Sequence, residues 1–512
     1  MSPRSAASLR PRLVGRLATL ALSTLAGCAT NRLDLAPPRY DQPWPIPATA
    51  SNELRAATSP EGRGEAGTPG AESGATPADP GHSEVAGLRD GHTYDLAELI
   101  DLAQRKNPET REAWERARQA ALAVGLSESA YLPQITAEAI AGWQHTPLPI
   151  PKELLPDGYF VAKTYEVVPT LTAKWLLFDF GQRKGAEAGA RANSFVANVA
   201  FTGAHQKLIY TVSREYFALG AARARLKVAE QALAMAATVE DAAKARRANG
   251  LGTEVELAQA EQQSAQARFN VERAKGGERS ATSALVASLG LAAGTRLDVR
   301  DSTALPLPTA PSADVDDLVS EALANRPDIL AAWGKIRAAQ ARLEGAEGSF
   351  YPTLGMEASG YQNIGAFSTL GSPYYSVNQP GGTVMLKLSL PLFDGGDRQA
   401  KVELARSEVQ AAQAALERTR DDSARQVTDA HDALETAFAE HEAALVMVRA
   451  SETAYGAALD SYRNGVGLYP DVVNAETTLS QARFEKENAH ANVLTAAAAL
   501  AFATGAIRAP GN

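Results

Sequence analysis

A single thiol, Cys28, is the one residue in this 512-residue chain whose type and setting point to covalent chemistry. Arg4, Arg10, Arg12 and Arg16 precede an apolar run from Leu17 to Ala26, which ends in Leu25, Ala26, Gly27 and Cys28. A basic start followed by a short apolar stretch is the layout of a bacterial secretory signal over residues 1–27, and the last four residues look like a lipobox. Cleavage there would leave Cys28 as the new N-terminus, bearing a diacylglycerol and an N-linked acyl chain; several chains anchor stably where one does not. The apolar run is too short to span a bilayer comfortably. Ala29, standing where an aspartate would resemble an inner-membrane retention signal, favours the outer membrane. With one cysteine in the chain, an intramolecular disulfide is excluded.

No other constellation suggests catalysis, and the chain reads as something other than an enzyme. It has no phosphate loop, no serine nucleophile elbow and no HExxH. The seven histidines, at 82, 92, 145, 205, 431, 441 and 490, include no pair at i, i+3 or i, i+4, so neither a metal site nor a resident cofactor is expected. Acid pairs such as Asp421 and Asp422 lie in charged helical surface. The formal charge is -9, and loss of the four leader arginines makes it -13, which argues against a nucleic-acid partner.

The elements that carry this chemistry are repeated. Pro108, Trp114 and Pro133 recur as Pro327, Trp333 and Pro352, 219 residues later, while Gly181, Asn249, Gly250, Arg268 and Phe269 recur 215 residues later as Gly396, Asn464, Gly465, Arg483 and Phe484. One four-residue deletion between about Gly142 and Pro169 relates the two copies, which are a tandem duplication of one supersecondary unit. The first repeat occupies about 94–312 and the second about 313–508, with a short tail at 509–512. Before them, residues 28–93 are rich in Pro, Gly, Ala, Ser and Thr and read as a lipidated, extended or disordered tether.

Each repeat reads helix, strand, strand, helix, tip, helix. The first helix, about Asp95 to Tyr131, is interrupted at Asn107 and Pro108, and its second copy, Asp314 to Phe350, at Arg326 and Pro327. Long helices from Gly181 to Asn249 and from Gly396 to Asn464 would extend ~103 Å at ~1.5 Å per residue. Shorter helices follow at about Thr253 to Leu289 and Leu468 to Thr504. Two short helices end to end match one long one, and we expect Thr253 to Leu289 to stack on Asp314 to Phe350, and Leu468 to Thr504 on Asp95 to Tyr131. Abundant alanine suits close helix packing. Heptads at Val212, Leu219, Leu226 and Leu233 suggest a supercoiled seam, weakened in the second copy where His441 replaces the counterpart of Leu226.

Between the helices the period changes to two. Apolar Ile135, Ala137, Ala139, Ala141 and Trp143 alternate with Gln134, Thr136, Glu138 and Gln144, and the same alternation runs through 166–178, 353–361 and 383–392. Four amphipathic strands of nearly the ~9 to 11 residues that cross a bilayer, with aromatics near their ends, fit a transmembrane β part. Four strands are too few to close, and open edges are untenable in lipid. The chain must therefore associate, and two, three or four copies would give eight, twelve or sixteen strands.

Ordered pieces in both copies resemble the TolC-like outer-membrane efflux family, lipoprotein branch: Asp95, Leu96 through Asn107, Pro108 to Tyr131, Leu132, Pro133; Leu177, Phe178, Asp179 to Gly181; Arg247, Ala248, Asn249 to Gly252; then Asn325 to Pro327, Tyr351, Pro352, Leu392 to Asp394 and Tyr462 to Gly467. The resemblance covers about residues 94–508. It implies a mainly α homotrimer with a 12-stranded β-barrel continuous with a long periplasmic α-helical barrel, acting as the passive exit duct of a tripartite efflux or type I secretion system. It also implies a periplasmic adaptor, an inner-membrane transporter and outer-membrane lipid as partners. The tips, Asn249, Gly250, Leu251, Gly252 and Thr253 with Asn464, Gly465, Val466, Gly467 and Leu468, fit adaptor docking, and their glycines permit the left-handed backbone of a tight turn. Acidic residues past the tips of related ducts narrow the entrance; the corresponding positions here are Asp471 and Asn474, with Glu256 and Gln259 in the first copy. Relatives with two aspartates in the second copy differ from this chain at Asn474. A structural trimeric lipoprotein or coiled-coil adhesin would explain the heptads and the anchor but not four strands of membrane length. The five methionines show no cluster pointing to copper or silver, and the cargo is not legible.

Overall fold

The computed structural model describes residues 31–58, 91–309 and 314–507. The leader, Cys28 and the tail at 509–512 lie outside the described residues. In chain order the elements are α1 (Ala48–Thr58), β1 (Thr93–Tyr94), α2 (Leu96–Lys106), α3 (Pro108–Ser129), β2 (Gln134–Pro149), β3 (Tyr159–Phe178), α4 (Gln182–Ala248), α5 (Glu254–Ser288), β4 (Asp298–Val299), α6 (Val315–Asn325), α7 (Pro327–Gly348), β5 (Thr353–Thr369), β6 (Tyr375–Ser389), α8 (Asp397–Arg463) and α9 (Tyr469–Ala503). They form two units, one of residues 31–35, 119–194 and 336–411, and one of residues 36–118, 195–335 and 412–507.

The first unit is built on a four-stranded antiparallel sheet in the order β2-β3-β5-β6. Its strands outrun the sequence expectation at the hairpin ends: β2 continues to Pro149, β3 starts at Tyr159, β5 continues to Thr369 and β6 starts at Tyr375. Main-chain pairing needs no apolar alternation, so the ladder persists past the amphipathic stretch. At its other end β6 stops at Ser389 rather than at 392, because Pro391 has no N–H to donate. The long helices start from matching corners. Arg183 pairs with Asp179 at 2.9 Å, donates to the carbonyls of Ala130 and Leu176, and lies over Tyr131. Arg398 pairs with Asp394 at 2.5 Å and lies over Phe350. Where α4 meets α7, a Cβ on Gly185 would come within 2.6 Å of the Ala341 carbonyl and Gly345 N, so only glycine permits that approach.

In the second unit, β1 and β4 pair in parallel, and Asp95 and Glu98 form a capping box at the start of α2. The core gathers Leu99, Ile100, Val212, Tyr216, Leu219, Leu285 and Leu289. The expected heptads hold at Val212 and Leu219, whereas Leu226 and Leu233 are half-buried. A helix near 3.6 residues per turn drifts off a strict seven-residue repeat, and the buried stripe moves to Ala236, Val239 and Ala243. His441 is half-buried, edge-on to His490 with ring centres 5.8 Å apart.

The expected pairing of the short helices is reversed: each stacks within its own repeat. Asn107 Oδ1 accepts from Glu109 N at the start of α3, while its Nδ2 donates to the Ser288 carbonyl at the end of α5. One amide thus satisfies an orphan N–H and an orphan C=O. Gly290, at φ 72°, turns the chain away so closely that a Cβ there would be 2.8 Å from the Asn107 Cα. Between α9 and α7 the same place is held by Arg326, which donates to the Ala503 carbonyl and pairs with Asp328. A cation suits the negative C-terminal end of α9.

The tether expectation also changes for its beginning. Residues 33–35 form a 3-10 turn and 48–58 form α1. Trp114 Nε1 donates to the Pro37 carbonyl at 2.8 Å, Thr202 Oγ1 donates to the Trp44 carbonyl, and Trp44 and Trp333 flank Phe195. His205, buried between Gln104 and the Tyr40 carbonyl, is pushed down to about 4 by burial and is neutral, so Nε2 donates to Tyr40 and Nδ1 accepts from Gln104. Trp114, Phe195 and Trp333 give this segment, through its own Trp44 and Pro37, a core to dock on, which its overall Pro and Gly content concealed.

Candidate functional site

Two places combine exposure with built geometry: the faces of the sheet and the hairpin tips. In the sheet, cross-strand pairing puts Thr136, Thr172, Ser359 and Thr383 in one row and Gln134, Lys174 and Glu357 in the next, on one face. Lys174 and Glu357 approach to 3.9 Å, and Ser359 and Thr383 hydroxyls hydrogen-bond at 2.9 Å. Glu138 and Glu166 share that face. The opposite face carries Ile135, Ala173, Ala358 and Val384, then Trp175, Met356 and Leu386. Along β3 its aromatic limits are Tyr165, beside Trp143, and Trp175. Ten residues at ~3.3 Å span ~33 Å, and a strand tilt of ~40° reduces this to ~25 Å, the height of a lipid-facing apolar band.

The outer edges of β2 and β6 have no partner strand among the described residues. Every residue of β2 is exposed, as are Val384, Met385, Leu386 and Leu388 of β6. Large apolar side chains and a free row of backbone donors and acceptors on each edge make this sheet unfit for water by itself. No helix among the described residues is long and apolar enough to cross a membrane.

At the first tip, Gly250 has φ 72°, and the N–H groups of Leu251 and Gly252 return to the Arg246 carbonyl. Thr253 caps α5, and Glu256 completes the box by accepting from Thr253 N. At the second tip, Gly465 has φ 81°, and Val466 and Gly467 return to the Ser461 carbonyl. Leu468 makes no side-chain cap; Pro470 in the first turn of α9 removes one donor that would need it. Leu251, Val466 and Leu468 are strongly exposed, at 69%, 83% and 67%.

Arg246, which sequence reasoning missed, ties the tips together. Its Nη1 donates to the Tyr462 carbonyl at 3.0 Å, its Nη2 donates to the Leu251 carbonyl at 3.2 Å, and its guanidinium lies 4.8 Å from the centre of the Tyr462 ring. A cleft of about 450 Å³ beside it is lined by Asp241, Asn249, Leu251, Arg463 and Asn464. Of the expected entrance residues, Asp471, Asn474 and Gln259 are exposed, whereas Glu256 is half-buried and engaged in its cap. Glu476, also missed, is 2% exposed, and burial pushes it up to about 7. Its position was legible in the apolar spacing of Val472, Glu476, Leu479 and Ala482. Elsewhere on α8, His431, Asp432 and Glu435 bring ligand atoms within 4.8 Å of one another, with both acids exposed.

The sequence matches the outer membrane efflux protein family over residues 99–291 and 318–506. It is similar to Protein CyaE of Bordetella pertussis, 27% identical over 80% of this chain and 84% of the relative. It is also similar to Outer membrane protein OprJ of Pseudomonas aeruginosa, 27% identical over 75% of this chain and 78% of the relative. A crystal structure of a membrane protein from Pseudomonas aeruginosa superposes with a TM-score of 0.69 at 26% identity, covering 80% of this chain and 90% of that one. Strands of membrane length, glycine-closed hairpin tips and a match through both repeats converge: the chain belongs to the outer membrane efflux protein family and is an outer-membrane efflux channel.

Proposed function

We propose that this outer-membrane channel of a tripartite efflux system works as a homotrimer whose twelve strands close one barrel continuous with a periplasmic helical barrel. The observation that carries the reading is the open-edged sheet with one apolar and one polar face. In a four-stranded antiparallel sheet the two edges run antiparallel to each other, so β6 of one copy can continue into β2 of the next around a ring. Two copies would give eight strands, a barrel that side chains fill; a conducting lumen needs more. The resemblance to TolC-like ducts selects three. The polar rows with Glu138, Glu166, Lys174 and Glu357 then face the lumen, and the band between Tyr165 and Trp175 faces lipid.

Acyl chains on Cys28 hold the mature N-terminus in the membrane. The exposed tips with Leu251, Val466 and Leu468 dock a periplasmic adaptor, which links the duct to an inner-membrane transporter. Asp471 supplies the acidic ring of the entrance, with Asn474 beside it; Glu256 contributes less because Thr253 N engages its carboxylate. Conduction is passive, and small molecules are the cargo class that the lipoprotein resemblance favours. Reconstitution into planar bilayers tests the reading: trimers with discrete conductance steps are expected, and a monodisperse monomer without ion leak would overturn it.

A further inference from the structure

Beneath the second tip lies a carboxylate that none of the roles above uses. Glu476 is 2% exposed on α9, in the stripe formed by Tyr469, Val472, Leu479 and Ala482, and its Oε2 has no hydrogen-bond partner. The neighbouring cluster holds Val239 and Ala243 of α4, Ala260 of α5, and Leu459 and Tyr462 of α8; the Tyr462 hydroxyl is likewise buried without a partner. Glu261, the matching position of the first repeat, is exposed, so burial here is peculiar to the second tip. Burial of a carboxylate with an unpartnered oxygen favours its neutral form.

We propose that Glu476 is a proton-controlled support of the channel entrance: its neutral carboxyl keeps the start of α9 packed under the tips, and its ionisation loosens that packing together with the Asp471 and Asn474 turns on the opposite face. The entrance role rests on the gate reading above; the proton-linked loosening stands on the cluster itself. The tyrosine hydroxyls around it stay neutral near neutral pH. Tyr455 and Tyr462 of α8 are pushed up by burial, and Tyr469 of α9 is pushed up to about 12. The charged side chains near these tyrosines are Arg463 of α8, Arg483 of α9, Arg246 of α4 and Glu256 of α5, the last of them held in its cap.

The sign follows from linkage. The packed form holds its proton up to about 7 and the loosened form only to the ordinary value of 4.5. Packing is therefore favoured fully below 4.5 and loses ground as pH rises to 7. The opening equilibrium increases about 30-fold between about pH 5.5 and 8.5. Hydrogen exchange of the full-length, detergent-solubilised protein, corrected for the intrinsic pH effect, reads this directly in peptides spanning 455–480. Wild type should show the 30-fold rise and Glu476→Gln should stay at the low-pH level. A wild-type response below about threefold, or a rise that survives in Glu476→Gln, overturns the proposal. Planar-bilayer recordings over the same range add the functional arm. Open probability should rise with pH in wild type alone, and equal pH responses in both proteins would refute the entrance role. Absence of current at every pH would sink the channel reading and the entrance role that rests on it, leaving exchange to decide the proton-linked loosening.

Discussion

Replacing Arg246 by methionine keeps the side-chain stem and deletes the guanidinium that joins the two tips. The losses are the bond to the Tyr462 carbonyl, the bond to the Leu251 carbonyl and the stacking on Tyr462. A hydrogen bond from a charged donor contributes ~1.5–3 kcal/mol and an exposed cation–π contact ~0.5–1 kcal/mol. Arg246 is half-exposed and the Leu251 bond lies within its own tip, so only the Tyr462 contacts couple the tips. The net coupling lost is about 2 kcal/mol, a shift of about 30-fold toward separated tips. Arg246→Met trimers in planar bilayers should show larger mean conductance, and exchange should accelerate in peptides around both 246–253 and 460–468. Wild-type conductance with unchanged exchange at both tips would refute the idea that this side chain couples them.

Three further outcomes follow from the same geometry. Asn107→Ala should cost about 1–2 kcal/mol by removing a cap and the α5 contact together, whereas Asn107→Asp keeps the cap of α3 but sets a carboxylate oxygen against the Ser288 carbonyl at the negative end of α5, so thermal unfolding should place wild type above both variants. Asp471→Asn should weaken block by polyvalent cations and lower cation selectivity in single-channel recordings, with a larger effect than Glu256→Gln because the latter carboxylate is already engaged. Trp114→Phe should cost about 1 kcal/mol through loss of its bond to the Pro37 carbonyl, seen as faster proteolysis within residues 31–58 and little change at the tips.

The duplication, the helix interruptions before Pro108 and Pro327, the glycine tips and the strand faces were legible because each is encoded within a few residues. Alternation located the two-faced part of the strands but not their ends, which are set by main-chain pairing as far as Pro149 and Thr369 and by Pro391. The partner of each short helix was hidden because either stacking satisfies the lengths; the choice lies in Asn107 reaching Ser288 and Arg326 reaching Ala503. Composition concealed the docking of residues 31–58, since Trp114, Trp44 and Trp333 are brought together only in the fold. Arg246 was invisible because the Tyr462 carbonyl it grips is 216 residues away. Glu476 was readable from its place between Val472 and Leu479, where a charge in an apolar stripe marks either a conflict or a function.

The central claim is that β2 and β6 are completed by other copies of the chain. Single cysteines introduced pairwise, one between Ala137 and Trp143 and one between Val384 and Leu388, should form intermolecular disulfides when the outer membrane is oxidised, because acylation of Cys28 leaves no other free thiol to compete. At the correct register the cross-linked ladder should end at three chains. A ladder that ends at two, runs past three, or never leaves the monomer at any register would contradict closure by three copies.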